Sequence, residues 1–229
     1  GRRWNSVAPS MSSTAAIFAA SDEPLREDSK IEPANVYGEN KLIIETMLRW
    51  NQKIHGMRYA CLRYFNACGA TKERGEDHQP ESHLIPRLFY VALGQSDAAT
   101  IYGTDYPTPD GTCIRDYIHI ADLAAAHVLA VEALNQKETL IYNLGSGVGY
   151  SVKEVLEATR VVTAHPIPAK ELPRRPGDAP RLVASSEKIR KELGWKPRYG
   201  KSDDAMRAGV RAEIEFLKQT LGPIKGGKG

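Results

Sequence analysis

No run of this chain is long and apolar enough to cross a membrane as a helix, and none reads as a secretory signal. Cysteine is scarce. Cys61, Cys68 and Cys113 are an odd number without metal-ligand spacing. That excludes a disulfide framework and a cysteine-rich zinc site, and the expected state is reduced thiols in a cytoplasmic protein. The histidines do not cluster either, and His119 and His127 fall on opposite sides of a strand-helix junction, so no metal is expected. No paired carboxylates suggest a hydrolytic dyad, and no Ser or Cys is placed as a nucleophile. A dominant charge is also missing: 31 Lys and Arg against 28 Asp and Glu give +3, too even for a nucleic-acid binder. Repeats and low-complexity blocks are absent. What is present is ordinary for a soluble globular protein, with 41% hydrophobic and 26% charged residues in 229. That length suits one large domain, or a domain and a small lobe. The chain opens on Gly1 without clear periodicity over its first residues, which raises the expectation of a fragment.

Strands and helices alternate along the chain. Residues 12–19 read as the end of a short buried strand carrying hydroxyls. Asn35 is a plausible N-cap for a helix over 36–55 that Gly56 stops. Aromatic and apolar residues over 58–65 predict a strand, and 84–93 a helix closed by Gly94. A brief strand at 100–103 and another at 113–120 precede an Ala-rich helix over 122–135 and a strand at 140–144. Ser151 and Glu154 have capping-box spacing for the next helix. Two further helices are predicted over 186–193 and 202–217. The order indicates an α/β fold.

Within that frame, Tyr37 and Lys41 are four residues apart at the start of a helix, so both can face one cleft. A free tyrosine has a pKa of about 10 and is a poor base at neutral pH. A cation about 4 Å away, at an effective dielectric of ~20, supplies roughly the 4 kcal/mol needed to hold it as phenolate. The cluster Gly145-Ser146-Gly147-Val148-Gly149 lies between a strand and a helix, yet lacks the dinucleotide spacing, so a tight packing turn is expected there. Arg115 and the Arg174-Arg175-Pro176-Gly177-Asp178 segment are better anion ligands, because guanidinium forks match phosphate.

Read in order, several segments resemble the UDP-glucose 4-epimerase family of extended short-chain dehydrogenase/reductases. They are Ser12-Ser13-Thr14-Ala15-Ala16, Tyr37-Gly38-Glu39-Asn40-Lys41, Arg63-Tyr64-Phe65-Asn66, His83-Leu84-Ile85-Pro86, Thr108 through His119, Tyr142-Asn143-Leu144-Gly145 and Arg174 through Asp178. The resemblance implies an incomplete Rossmann-like parallel sheet with a smaller C-terminal α/β substrate-binding lobe. Residues 1–66, rejoined by 112–140, would belong to the NAD-binding domain, 67–222 mainly to the UDP-sugar lobe, and 223–229 to a disordered tail. It implies Tyr37 as acid/base, Lys41 tuning it and holding the nicotinamide ribose, and Thr14 bonding the sugar O4. Phe65 would lie against NAD, so the cofactor contacts are Thr14, Tyr37, Lys41 and Phe65. Asn66, His83, Leu84, Thr100, Ile101, Tyr102, Arg115, Arg175 and Asp178 would hold the UDP moiety. The implied activity is C4 epimerisation of UDP-glucose and UDP-galactose in galactose metabolism, by a homodimer.

The family's opening strand and glycine-rich NAD-binding turn have no counterpart here, so weak NAD binding is expected of the isolated chain. The alternatives are a non-catalytic UDP-sugar-binding remnant, or an epimerase of UDP-N-acetylglucosamine or UDP-pentose. Leu182, where the family can carry a bulky Tyr, would leave room for an N-acetyl group. Ala15 and Ala16 replace the acidic pair that dehydratases carry after the active-site Thr, which disfavours dehydration.

Overall fold

The computed structural model describes residues 8–71, 73–75, 80–199, 209 and 211. Three parallel strands, β1 (Ser10–Thr14), β2 (Tyr59–Tyr64) and β6 (Thr139–Leu144), form one sheet in the order β1-β2-β6. Helix α1 (Val36–His55) connects β1 to β2, and α3 (Ile120–Ala133) leads into β6. Leu62, Leu140, Tyr142 and Leu144 on this sheet pack against Ala126 and Ala130 of α3 and its C-cap Leu134, with Ile189 of α5 (Glu187–Leu193) and Trp195. Apolar runs without alternation are what strands covered on both faces require, and β2 is buried from Tyr59 to Arg63.

A second group of strands begins where β2 ends. The strand predicted over 58–65 is β2, and beyond Phe65 an unpredicted short strand, β3 (Asn66–Cys68), pairs with β5 (Ile114–His119). β5 also meets β7 (Gly149–Ser151) antiparallel and β9 (Arg181–Leu182) parallel. β4 (Ala99–Tyr102) and β8 (Ala169–Leu172) form a two-stranded parallel sheet. Helices α2 (Leu84–Ala92) and α4 (Val152–Thr163) enclose a core of Leu88, Phe89, Ile101, Val155 and Ile167. The strands at 149–151, 169–172 and 181–182 are too short to show a period of two, so sequence pattern could not reveal them.

Local signals act as their chemistry dictates. The Asn35 side chain accepts from the Gly38 amide at 2.9 Å, and Gly56 ends α1 at φ 66°. The Ser151–Glu154 capping box is fully formed. α3 begins two residues before its expected start, capped by His119, and β1 gives way at Ala15–Ile17 to a single 3-10 turn. The helix expected over 202–217 lies outside the described residues, apart from 209 and 211.

Candidate active site

One cleft of about 770 Å³ opens at the carboxyl ends of β1 and β2, the edge where parallel α/β sheets bind ligands. The segments leaving those strands line it, Ser12–Ala16 from β1 and Tyr64–Gly69 from β2. Thr14 ends β1, and its Oγ1 accepts from the Ala16 amide at 3.2 Å, which leaves its own proton to donate. The α1 N-terminus docks on this turn. A Cβ on Gly38 would come within 2.3 Å of the Ala16 carbonyl oxygen, so only glycine allows the approach that sets Tyr37 near Thr14. Lys41 lies one turn further on. Its Nζ donates to the Ser12 carbonyl at 2.9 Å and sits 5.7 Å from the centre of the Tyr37 ring.

Tyr37 and Lys41 therefore face the same cleft, but not in a dry setting: Tyr37 is 56% exposed. Solvent around the phenol screens the ammonium charge.

A buried clamp fixes α1 against the sheet. Arg63 of β2 grips Glu45 with two hydrogen bonds, at 3.0 and 2.7 Å, and Ser13 Oγ donates to the same carboxylate at 2.6 Å. Removing one partner of such a pair costs about 3–5 kcal/mol. A second polar chain runs behind the cleft wall. Ser12 Oγ meets the Tyr64 hydroxyl at 3.1 Å, that hydroxyl bonds Nε2 of His127, and His127 Nδ1 meets Ser10 Oγ at 2.8 Å. Burial pushes the Tyr64 phenol up and the His127 imidazole down from their ordinary pKa values.

Elsewhere in the lining, Asp178 draws together two arginines. Arg175 Nε donates to it at 2.9 Å, and Arg115 Nη2 lies 3.6 Å away. Arg115 also donates to the Ile114 and Ala179 carbonyls at 2.9 and 2.7 Å. The Arg175 guanidinium lies 4.7 Å from the centre of the Tyr102 ring. Arg174, read from sequence as an anion ligand beside Arg175, turns away from the cleft. It bonds Asp105 at 2.7 Å and stacks on Tyr106 at 4.2 Å.

Arg174 apart, every side chain named from sequence as a site residue lines this cleft except Ile101. In β4, Thr100 and Tyr102 face the cleft while Ile101 is 5% exposed in the core beside α2 and α4. The alternation of a strand explains the correction. The Gly145-Ser146-Gly147 turn is filled from within. The buried Asp116 carboxylate accepts from the Ser146 amide and hydroxyl, both at 2.7 Å, and from the Gly147 and Ala184 amides, both at 3.0 Å. Burial pushes the Asp116 pKa up, against the pull of these donors. The turn thus serves packing, as its spacing suggested.

Sequence reasoning missed Ser12, Tyr64, Arg74 and Arg87 in the lining, and Glu45, Asp116 and His127 behind it. Tyr64 and Ser12 sat inside motifs already singled out. The others carried no local signal. Leu182 lines the cleft as well. Among the described residues no group of three or more His, Cys, Asp or Glu could hold a metal ion, and no helix is long and apolar enough to cross a membrane.

A Rossmann-like parallel sheet with a Tyr-x-x-x-Lys helix over its carboxyl edge defines a protein of the short-chain dehydrogenase/reductase type. The NAD dependent epimerase/dehydratase family pattern matches residues 8–145. The chain belongs to that family. It is 54% identical over 192 residues to the UDP-glucose 4-epimerase of Halalkalibacterium halodurans, covering 82% of this chain and 58% of that protein. The crystal structure of UDP-glucose 4-epimerase from Bifidobacterium longum in complex with NAD+ and UDP superposes with a TM-score of 0.84 at 37% identity, covering 93% of this chain and 64% of that one. The UDP-Glc/GlcNAc 4-epimerase of Campylobacter jejuni superposes with a TM-score of 0.73 at 36% identity, over 92% of this chain and 64% of that one. The chain thus spans about 58% of the length of the curated relatives it matches.

Proposed function

We propose that this chain carries the acid/base and UDP-sugar-binding machinery of a UDP-glucose 4-epimerase, which interconverts UDP-glucose and UDP-galactose through a 4-keto sugar. The observation that carries this reading is that one cleft is lined both by Tyr37, Lys41 and Thr14 and by Arg115, Arg175 and Asp178. The two sets suit a molecule that carries both a reacting hydroxyl and a diphosphate.

The residues present fit NAD. Lys41 is a cation held beside a wall of hydroxyls from Ser12, Thr14 and Tyr64, and Phe65 offers a flat apolar face. Lys41, Tyr37, Thr14 and Phe65 would hold the nicotinamide end, and bound NAD supplies the hydride acceptor and donor for C4. Thr14, whose lone pair is already used by Ala16, donates to the sugar O4. Tyr37 takes the proton from that oxygen and returns it when the sugar carbonyl is reduced on its opposite face. Ligand covering Tyr37 removes the water that screens Lys41, so the ammonium stabilises the phenolate most strongly in the loaded cleft. Arg115 and Arg175 anchor the diphosphate while the sugar turns over. Asn66, His83, Leu84, Thr100 and Tyr102 surround the rest of the nucleotide.

The buried thiols of Cys61 and Cys113 support a reducing compartment such as the cytoplasm. The exposed apolar face of α1 supports a homodimer.

Turnover of UDP-glucose to UDP-galactose with NAD added, measured for the chain and for Tyr37→Phe, tests the reading. We expect the variant to lose at least about 100-fold in kcat, the usual scale of a lost acid/base group, with UDP affinity retained. An unaffected variant refutes the assignment of Tyr37. UDP binding without any turnover in the unaltered chain would favour the non-catalytic remnant.

A further inference from the structure

We infer that Arg87 is an additional diphosphate-binding residue of this cleft, an inference that rests on the nucleotide-sugar reading above. Helix α2 buries Ile85, Pro86, Leu88, Phe89, Val91 and Ala92. Leu84 and Arg87, three residues apart, share the face that remains, and both line the cleft. His83, one turn before Arg87, lines it too.

Arg87 is half-buried, yet among the described residues it makes no ion pair and its side chain donates no hydrogen bond. A partly dehydrated guanidinium without an acceptor is unfavourable unless something else supplies one. Of the other cations lining the cleft, Arg74 is exposed to solvent and the rest are already engaged. Lys41 is spent on the Ser12 carbonyl, and Arg115 and Arg175 share the single carboxylate of Asp178. Two positive charges against one negative leave that cluster with one net positive charge, whereas the diphosphate of a UDP-sugar carries two negative charges. Arg87 supplies the missing charge.

Calorimetric titration of the full chain with UDP and, separately, with uridine tests this. Arg87→Leu should weaken UDP about tenfold or more, the scale of one lost charged hydrogen bond, and leave uridine unchanged. Arg26→Leu, an exposed arginine outside the cleft lining, controls for net charge. Should Arg87→Leu lose its circular dichroism signal, Arg87→Gln keeps the polar volume and is expected to show the same selective loss. Equal weakening of UDP and uridine overturns the inference, because Arg87 then only shapes the wall. So does an unchanged UDP affinity, and if Arg175→Leu still weakens UDP, the nucleotide-sugar reading stands without Arg87. Failure of the unaltered chain to bind UDP would remove both.

Discussion

His119 shows how much one buried side chain can carry. It is 3% exposed, its Nδ1 accepts from the Ala121 amide at 3.1 Å to cap α3, and its ring stacks 4.0 Å from that of Tyr199. Nε2 is then the protonated nitrogen, and among the described residues it has no hydrogen-bond partner. Burial holds the imidazole below its ordinary pKa, with Asp122 pulling weakly the other way. The folded state therefore holds a proton on His119 less readily than the unfolded chain, which takes one up near pH ~6.5. Below that pH the unfolded state binds more protons, so stability falls as pH falls. Protonation also turns the capping acceptor into a donor. We predict that denaturant stability drops as pH falls from ~7.5 to ~5.5, and that His119→Asn, which keeps an N-cap acceptor, loses less over that interval. Equal pH dependence of the two proteins would show that His119 does not carry this term. Other single residues were readable directly. Tyr37, Lys41, Arg115, Arg175 and Asp178 stood out because each has strong chemistry next to a turn or helix start. Glu45 and His127 did not, since what makes them matter is a partner many residues away.

Among the elements, α1 does two jobs. Its N-terminal turn, docked through Gly38, presents Tyr37 and Lys41 to the cleft, and buried Glu45 ties its middle to β2. Its outer face remains apolar. Ile43, Met47, Trp50 and Ile54 recur at helical spacing, and Trp50 is 51% exposed. Val128 and Val131 of α3 are exposed in the same way. Such a face marks an interaction surface. If the chain pairs through it, Met47→Glu with Trp50→Glu should shift the sedimentation coefficient from dimer to monomer without changing the circular dichroism spectrum. A monomeric unaltered chain, or a dimer indifferent to both changes, would contradict this. Helix and strand identity was legible for α1, α2, α3, α4, β2 and β6, where caps and periodicity agree. The strand read over 58–65 is β2, but β3 beyond Phe65 went unread, because a three-residue strand carries no pattern that says which sheet it joins. Tertiary pairing decides that, and it sends β3 to β5.

At the scale of the whole molecule, two groups of strands meet along one cleft. Thr14, Tyr37 and Lys41 come from β1 and α1, and the arginines come from β5 and the 174–178 turn. Sequence motifs located both sets, but their convergence follows from β5 lying next to the continuation of β2, a long-range fact no local pattern encodes. Ile101 was misplaced for the opposite reason: a motif counts consecutive residues, whereas a strand shows only every second one to the ligand. The central claim is that this cleft brings a UDP-sugar's C4 hydroxyl to Tyr37 within reach of nicotinamide. Absorbance in the NADH band, recorded after adding NAD and UDP-glucose to the chain, tests it most directly. The account predicts a band that appears only when both are present and is lost in Tyr37→Phe. A flat spectrum from the unaltered chain, with both ligands shown to be bound, would contradict it.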